Sequence, residues 1–133
     1  MRVNNVQKNT NFKALQVRSQ GYMHYNASEI SRCKEKLANT KFIDVIIDSQ
    51  GLAIKEKMTE VLQRIQSFSL LPQENSVVVN IKEEKEPMYK FSFKDLKEAK
   101  TIWRDLCEKT RCDELNYYTN IALWLEEQLS LKK

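Results

Sequence analysis

At 133 residues the chain suits one domain with one core, which at this size buries roughly two thirds of the surface its unfolded form exposes. Hydrophobic residues make up 41% and charged residues 30%, a globular balance that excludes a disordered or low-complexity chain. The net charge of +4, from 22 Lys and Arg against 18 Asp and Glu, is small and interleaved, so the concentrated positive face of a nucleic-acid binder is not expected.

Residues 1–11 are Asn-rich, with Val3 and Val6 as their apolar members, and read as a mobile tail. Partial alternation over Phe12 to Arg18 predicts a first strand, ended by Ser19-Gln20-Gly21. Asn26 with Glu29 three residues on forms a capping pair for a helix carrying Ala27, Ile30, Cys33, Leu37 and Ala38 at helical spacing. The basic run Arg32, Lys34, Lys36, Lys41 reads as its solvated side. The β-branched stretch Phe42 to Asp48 predicts a strand, Ser49-Gln50-Gly51 a tight turn, and Leu52 to Glu56 the returning strand. From Val61 to Leu71 the spacing fits helix or strand, and a strand centred on Ile65 to Ser69 is expected.

Two alternating strands follow, Ser76 to Lys82 and Met88 to Lys94, joined as adjacent meander strands by the charged hairpin loop Glu83 to Pro87. Asp95 then caps an amphipathic helix bearing Leu96, Ala99, Ile102, Trp103, Leu106 and Cys107. After a break at Thr110 to Asp113, Asp113 caps a last helix with Leu115, Tyr118, Ile121, Ala122, Leu125 and Leu129, and with Tyr117, Leu123, Trp124 and Leu131 besides. That surface is wider than one core contact needs. Repeats and Pro- or Ser-rich linkers are absent from the sequence, so no second-domain boundary is expected.

A strand, a capped helix, a run of antiparallel strands and an amphipathic helix, in that order, resemble the phosphotyrosine-binding-domain branch of the pleckstrin-homology-like fold. The likeness covers roughly residues 12 to 109. It is carried by Val45-Ile46-Ile47-Asp48-Ser49-Gln50-Gly51-Leu52-Ala53-Ile54, by Ile65-Gln66-Ser67-Phe68-Ser69, and by Tyr89-Lys90-Phe91-Ser92-Phe93 leading into Ala99 to Leu106. The fold it implies is α+β: an antiparallel sheet or half-open barrel of about six strands, with a helix inserted after strand 1 and a closing helix. A tail at 1–11, a domain at 12–110 and an additional helix at 111–133, packed on or extending the domain, complete the expected organisation.

The resemblance also implies a mechanism, the addition of an extended peptide as a strand on the sheet edge beside the closing helix. On this chain the edge is Ser76 to Lys82, with main-chain groups of Val78 and Asn80 pairing with the ligand, and Trp103 or Arg104 shaping the groove. No arginine pair matches a phosphotyrosine reader, which leaves phosphate dependence open. The first hairpin turn, Asp48-Ser49-Gln50-Gly51, lacks the basic residues of a lipid-headgroup site.

Catalytic constellations are sparse. His24 and Cys33 could form a thiol dyad only if the fold joined them. Cys33 and Cys107 fall on apolar helical faces as small hydrophobes. Cys107, Cys112 and one histidine fall short of a closed zinc site. Asp44 and Asp48 share a strand face, as solvated carboxylates do, and a magnesium or acid–base role needs further carboxylates. With glycines only at Gly21 and Gly51 there is no phosphate loop. The odd cysteine count implies a reducing compartment, and neither a membrane span nor a secretory signal is seen, so the expected setting is cytoplasmic, with export by a specialised system left open.

The expectation is therefore a non-enzymatic protein- or peptide-binding module without cofactor or metal, whose partner is neither nucleic acid nor membrane. The candidate contacts are Val78, Asn80, Lys82, Trp103, Arg104 and Trp124. Trp124 belongs to a strip with Tyr117 and Leu131 on the last helix, for which core packing is the commoner fate. The alternative is an inhibitor or assembly protein of a mobile element or pathogen that acts through its C-terminal helix, which also leaves open a homodimer through that helix.

Overall fold

A computed structural model describes residues 14–19 and 24–131; the expected tail at 1–11 and the start of the first strand at Phe12 lie outside them. Along the chain come β1 (Leu15–Val17), α1 (Ala27–Lys36), β2 (Ile43–Asp48), β3 (Gly51–Glu56), β4 (Ile65–Leu71), a 3-10 turn (Pro72–Glu74), β5 (Ser76–Ile81), β6 (Tyr89–Ser92), α2 (Leu96–Lys109) and α3 (Glu114–Leu131).

The helices start where the sequence places their caps. The Asn26 carboxamide oxygen accepts the Glu29 N–H at 3.0 Å, Asp95 accepts that of Glu98 at 2.8 Å, and Asp113 that of Asn116 at 3.0 Å. Ser49 and Gln50 turn β2 into β3 because Gly51 adopts φ +114°, which side chains resist, and because Asp48 accepts the Gln50 N–H at 2.9 Å. The ambiguous stretch before Pro72 is a strand, as expected. Its pairing with β5 sets Phe68 opposite Val79 and Leu70 opposite Val77, and those four side chains share the core face.

The six strands form two sheets, ordered β1-β2-β3 and β4-β5-β6, rather than one half-open barrel. β1 runs parallel to β2, with α1 as the crossover between them; the remaining strand pairs are antiparallel. Among the described residues one isolated main-chain bridge, between Ile54 and Gln63, joins the edge of the first sheet to the approach to β4.

The last helix is the centre of the molecule. Leu115, Ile121, Ala122 and Leu125 of α3 are fully buried in one core with Val45, Ile47 and Ile54 of the first sheet and Val77, Val79 and Phe91 of the second. α3 packs on β2 and β3 and touches both other helices, which is why its sequence is apolar on nearly every side. Glu126 of α3 also caps the approach to β2, its carboxylate accepting the N–H groups of Lys41, Phe42 and Ile43 at 2.6, 3.0 and 3.3 Å. A contact strip of Trp124, Tyr117 and Leu131 does not form. Trp124 is 5% exposed and sits edge-to-face on Phe91 at 5.2 Å, Tyr117 lies against Phe68, and Leu131 alone is exposed.

Candidate functional site

Where the two sheets meet, a β-ladder closes once and stops. Ile54 and Gln63 exchange both main-chain hydrogen bonds, at 2.7 and 2.8 Å. In an antiparallel ladder the next bonded pair lies two residues along on each strand, which here means Leu52 with Ile65. These residues take side-chain partners instead. The Arg64 guanidinium donates through Nη1 to the Leu52 carbonyl at 3.2 Å. The Ile65 N–H donates to the Tyr118 hydroxyl at 2.7 Å, and that hydroxyl donates to the Ile65 carbonyl at 3.5 Å.

Both stand-ins are firmly placed. Burial pushes the Tyr118 phenol up to about 12, so it stays a neutral donor and acceptor. Arg64 also donates through Nη2 to Asp48 at 2.9 Å. That hydrogen bond, assisted by the Gln50 N–H, holds the Asp48 carboxyl below the usual carboxylate range despite its partial burial.

Beside the seam, and sharing Gln63 and Arg64 with it, lies a cleft of about 370 Å3 lined also by Gln50, Val61, Leu62, Ile81, Lys82, Glu83 and Glu84, within the size range of ligand sites. Three features set it apart. Val61 is 62% exposed, so the lining includes an apolar side chain open to solvent. Gln50 and Gln63 bring amides, which can both donate and accept. Glu83 adopts φ +67°, an uncommon conformation for a non-glycine residue and one that gathers at functional sites.

Of the contacts expected from sequence, only Lys82 belongs to this cleft. Its N–H donates to the Arg64 carbonyl at 2.9 Å. The expected docking border at 76–82 is corrected by the topology: β5 is the middle strand of its sheet, with Val78 opposite Ser69 on β4 and Lys90 on β6. Its main chain is paired on both sides there, and no strand can be added. Asn80 spends its carboxamide N–H groups on the Ser67 and Ser69 hydroxyls at 3.2 and 2.9 Å. Trp103 is half-buried against the core, Trp124 is in the core, and Arg104 lies exposed on α2 beside Thr101, Asp105 and Glu108.

The groups weighed for catalysis are spread out and occupied. His24 is exposed, whereas Cys33 is buried with its thiol on Asn116 at 3.7 Å. Burial and the neighbouring Asp113 push the Cys112 thiol up, away from reactivity. Asp44 is not solvated: its carboxylate is 5% exposed, against Lys55 at 3.4 Å and Lys57 at 2.5 Å, with the Gln16 amide donating at 3.3 Å. Among the described residues no three of His, Cys, Asp and Glu are grouped to hold a metal ion, and no described helix is long and apolar enough to cross a membrane.

A smaller hollow of about 200 Å3 lies between Lys109 of α2 and Asn120, Leu123, Trp124 and Glu127 of α3. The Trp124 indole N–H has no hydrogen-bond partner among the described residues.

None of Arg64, Tyr118, Gln50, Gln63 and Glu83 is a candidate contact by sequence, where Gln50 belongs to a turn, Glu83 to a link and Tyr118 to a helix face. Only a polar break before the β4 apolar run hinted at Arg64, and Tyr118 passes for a core aromatic until its hydroxyl is placed. Compared with known proteins, the chain matches no family model, no curated protein and no solved structure at a significant level.

Proposed function

We propose that the chain is a non-enzymatic binding module that takes a segment of a protein or peptide into the cleft at the β3–β4 seam. The observation that carries this reading is the interrupted ladder. It is a place where main-chain groups poised for strand pairing are held by side chains, and a cleft of ligand size opens beside it. The resemblance to the phosphotyrosine-binding branch supplies the idea of strand addition, and the seam supplies a different place for it. The ionisable groups at the seam support binding over chemistry, because Arg64 and Asp48 neutralise one another. Three free thiols fit a reducing, cytoplasmic setting.

The test is to pan a randomised peptide library against the purified chain and to measure the selected peptides by calorimetry. Val61→Arg, at an exposed position that folding does not need, is expected to weaken them at least about tenfold by removing an apolar contact and adding bulk and charge. Peptides that bind this variant and the parent chain equally would show that the cleft is not the site.

A further inference from the structure

We infer that Arg64 and Tyr118 are internal stand-ins for a ligand strand: an extended peptide entering from the cleft pairs its own main chain with Leu52 and Ile65 and displaces them. This rests on the cleft being the binding site, and it adds how the ligand is held and what competes with it.

The geometry of the two facing rows supports it. The Lys82 N–H bonds to the Arg64 carbonyl, so in the β4–β5 ladder Arg64 sits in a bonded position and its neighbour Ile65, opposite Ile81, turns its N–H and C=O the other way, toward β3. On β3 the groups of Ile54 face Gln63, and by the same alternation those of Leu52, two residues away, face that side too. Two strand edges thus confront each other beyond the Ile54–Gln63 pair, with a guanidinium on one and a phenol on the other.

The exchange leaves few groups stranded. A peptide N–H takes the Leu52 carbonyl as Arg64 Nη1 lets go, while Nη2 keeps its bond to Asp48. A peptide C=O takes the Ile65 N–H, and Tyr118 still has the Ile65 carbonyl to donate to. Swapping one hydrogen bond for another of its kind changes little free energy, so the peptide's side chains against Val61, Leu62 and Ile81 set the affinity and the main chain sets the register. Because the stand-ins compete with the ligand, the site is self-inhibited, and trimming either one strengthens binding.

The probe is a synthetic peptide copying residues 63–69, acetylated and amidated, since that segment already pairs with β3 through Gln63. Its affinity for the full chain is measured beside two peptides N-methylated at alternate residues. One methylation register is expected to abolish binding and the other to spare it. Tyr118→Phe is expected to tighten binding about fivefold to tenfold, and Arg64→Met gives the same sign if the Phe variant folds poorly. A merely structural role predicts weaker or unchanged binding for both.

If Val61→Arg weakens the peptide while both methylated forms bind like the parent and neither stand-in variant tightens binding, the seam mechanism fails and the cleft reading survives. If the peptide does not bind, or binds without regard to Val61→Arg, the seam mechanism fails; the library peptides then decide the cleft reading on their own.

Discussion

Tyr118→Phe removes one oxygen from the middle of the fold and leaves the ring in place, so it isolates what the hydroxyl contributes. In the parent chain that oxygen accepts the Ile65 N–H at 2.7 Å, beside a residue only 4% exposed. Water cannot readily replace it, and a buried donor left without a partner costs about 1–3 kcal/mol; about 2 kcal/mol is expected here. At roughly 4 °C per kcal/mol for a chain of this length, the melting temperature falls by about 8 °C. Urea unfolding followed by Trp103 and Trp124 fluorescence reads the change as a lower midpoint at constant slope. A loss below about 0.5 kcal/mol, with the Ile65 amide still protected from exchange, would refute the reasoning. It would mean that the Ile65 N–H finds another acceptor once the hydroxyl is gone, so that the hydroxyl is not its necessary partner. The same residue leaves a mark at high pH. Burial raises its pKa from 10.0 to about 12, so the unfolded chain gives up this proton first and stability falls as pH climbs from 10 toward 12. The Phe variant should show a shallower alkaline fall.

Other expectations concern the ends of the same strands. Asp48 is depressed below its ordinary value of 3.8, so its stabilising share is complete above that pH and is lost as pH drops through the lower folded value; Asp48→Asn should flatten the decline of the urea midpoint below about pH 4. Gly51→Ala places a Cβ with no atom within 4 Å of it, which leaves only the strain at φ +114°. A loss of about 1–2 kcal/mol in chemical denaturation is expected, and a neutral substitution would show that the hairpin tip adapts freely. Glu126→Ala strips the acceptor from three successive N–H groups; a loss of about 2 kcal/mol, partly relieved by water at this half-exposed site, is expected, with Glu126→Gln recovering part of it in the same assay.

What could be read from the sequence is what neighbours in the chain decide. Asn26, Asp95 and Asp113 cap their helices because the cap and its target are three residues apart. Gly51 turns a hairpin whose strands lie on either side of it, whereas the spacing over 61–71 fits helix and strand alike and it is pairing with β5 that makes β4 a strand. What escaped was adjacency across the chain. The short link after β5 predicts β6 as its neighbour, but nothing local to Val78 says that β4 takes the other side, and nothing in the helical spacing of α3 distinguishes an added helix from a central one, since both are apolar and only the second is surrounded. Asp44 and Lys55 look like surface charges on a strand until the fold buries them together.

The seam escaped for a sharper reason. Tyr118 and Ile65 are 53 residues apart, and what joins them is the pair that Leu52 and Ile65 do not make. Propensity and periodicity report which backbone groups will find partners in helices and sheets; they are silent on which partners will be substitutes. A buried N–H must be satisfied by something, so each interrupted ladder nominates a side chain for the vacancy, and the identity of that side chain shows whether the gap is sealed or held open. An aliphatic residue over Ile65 would leave its N–H without this acceptor. A phenol and a guanidinium, each able to release a main-chain group and keep another bond, leave two strand edges within reach of a third.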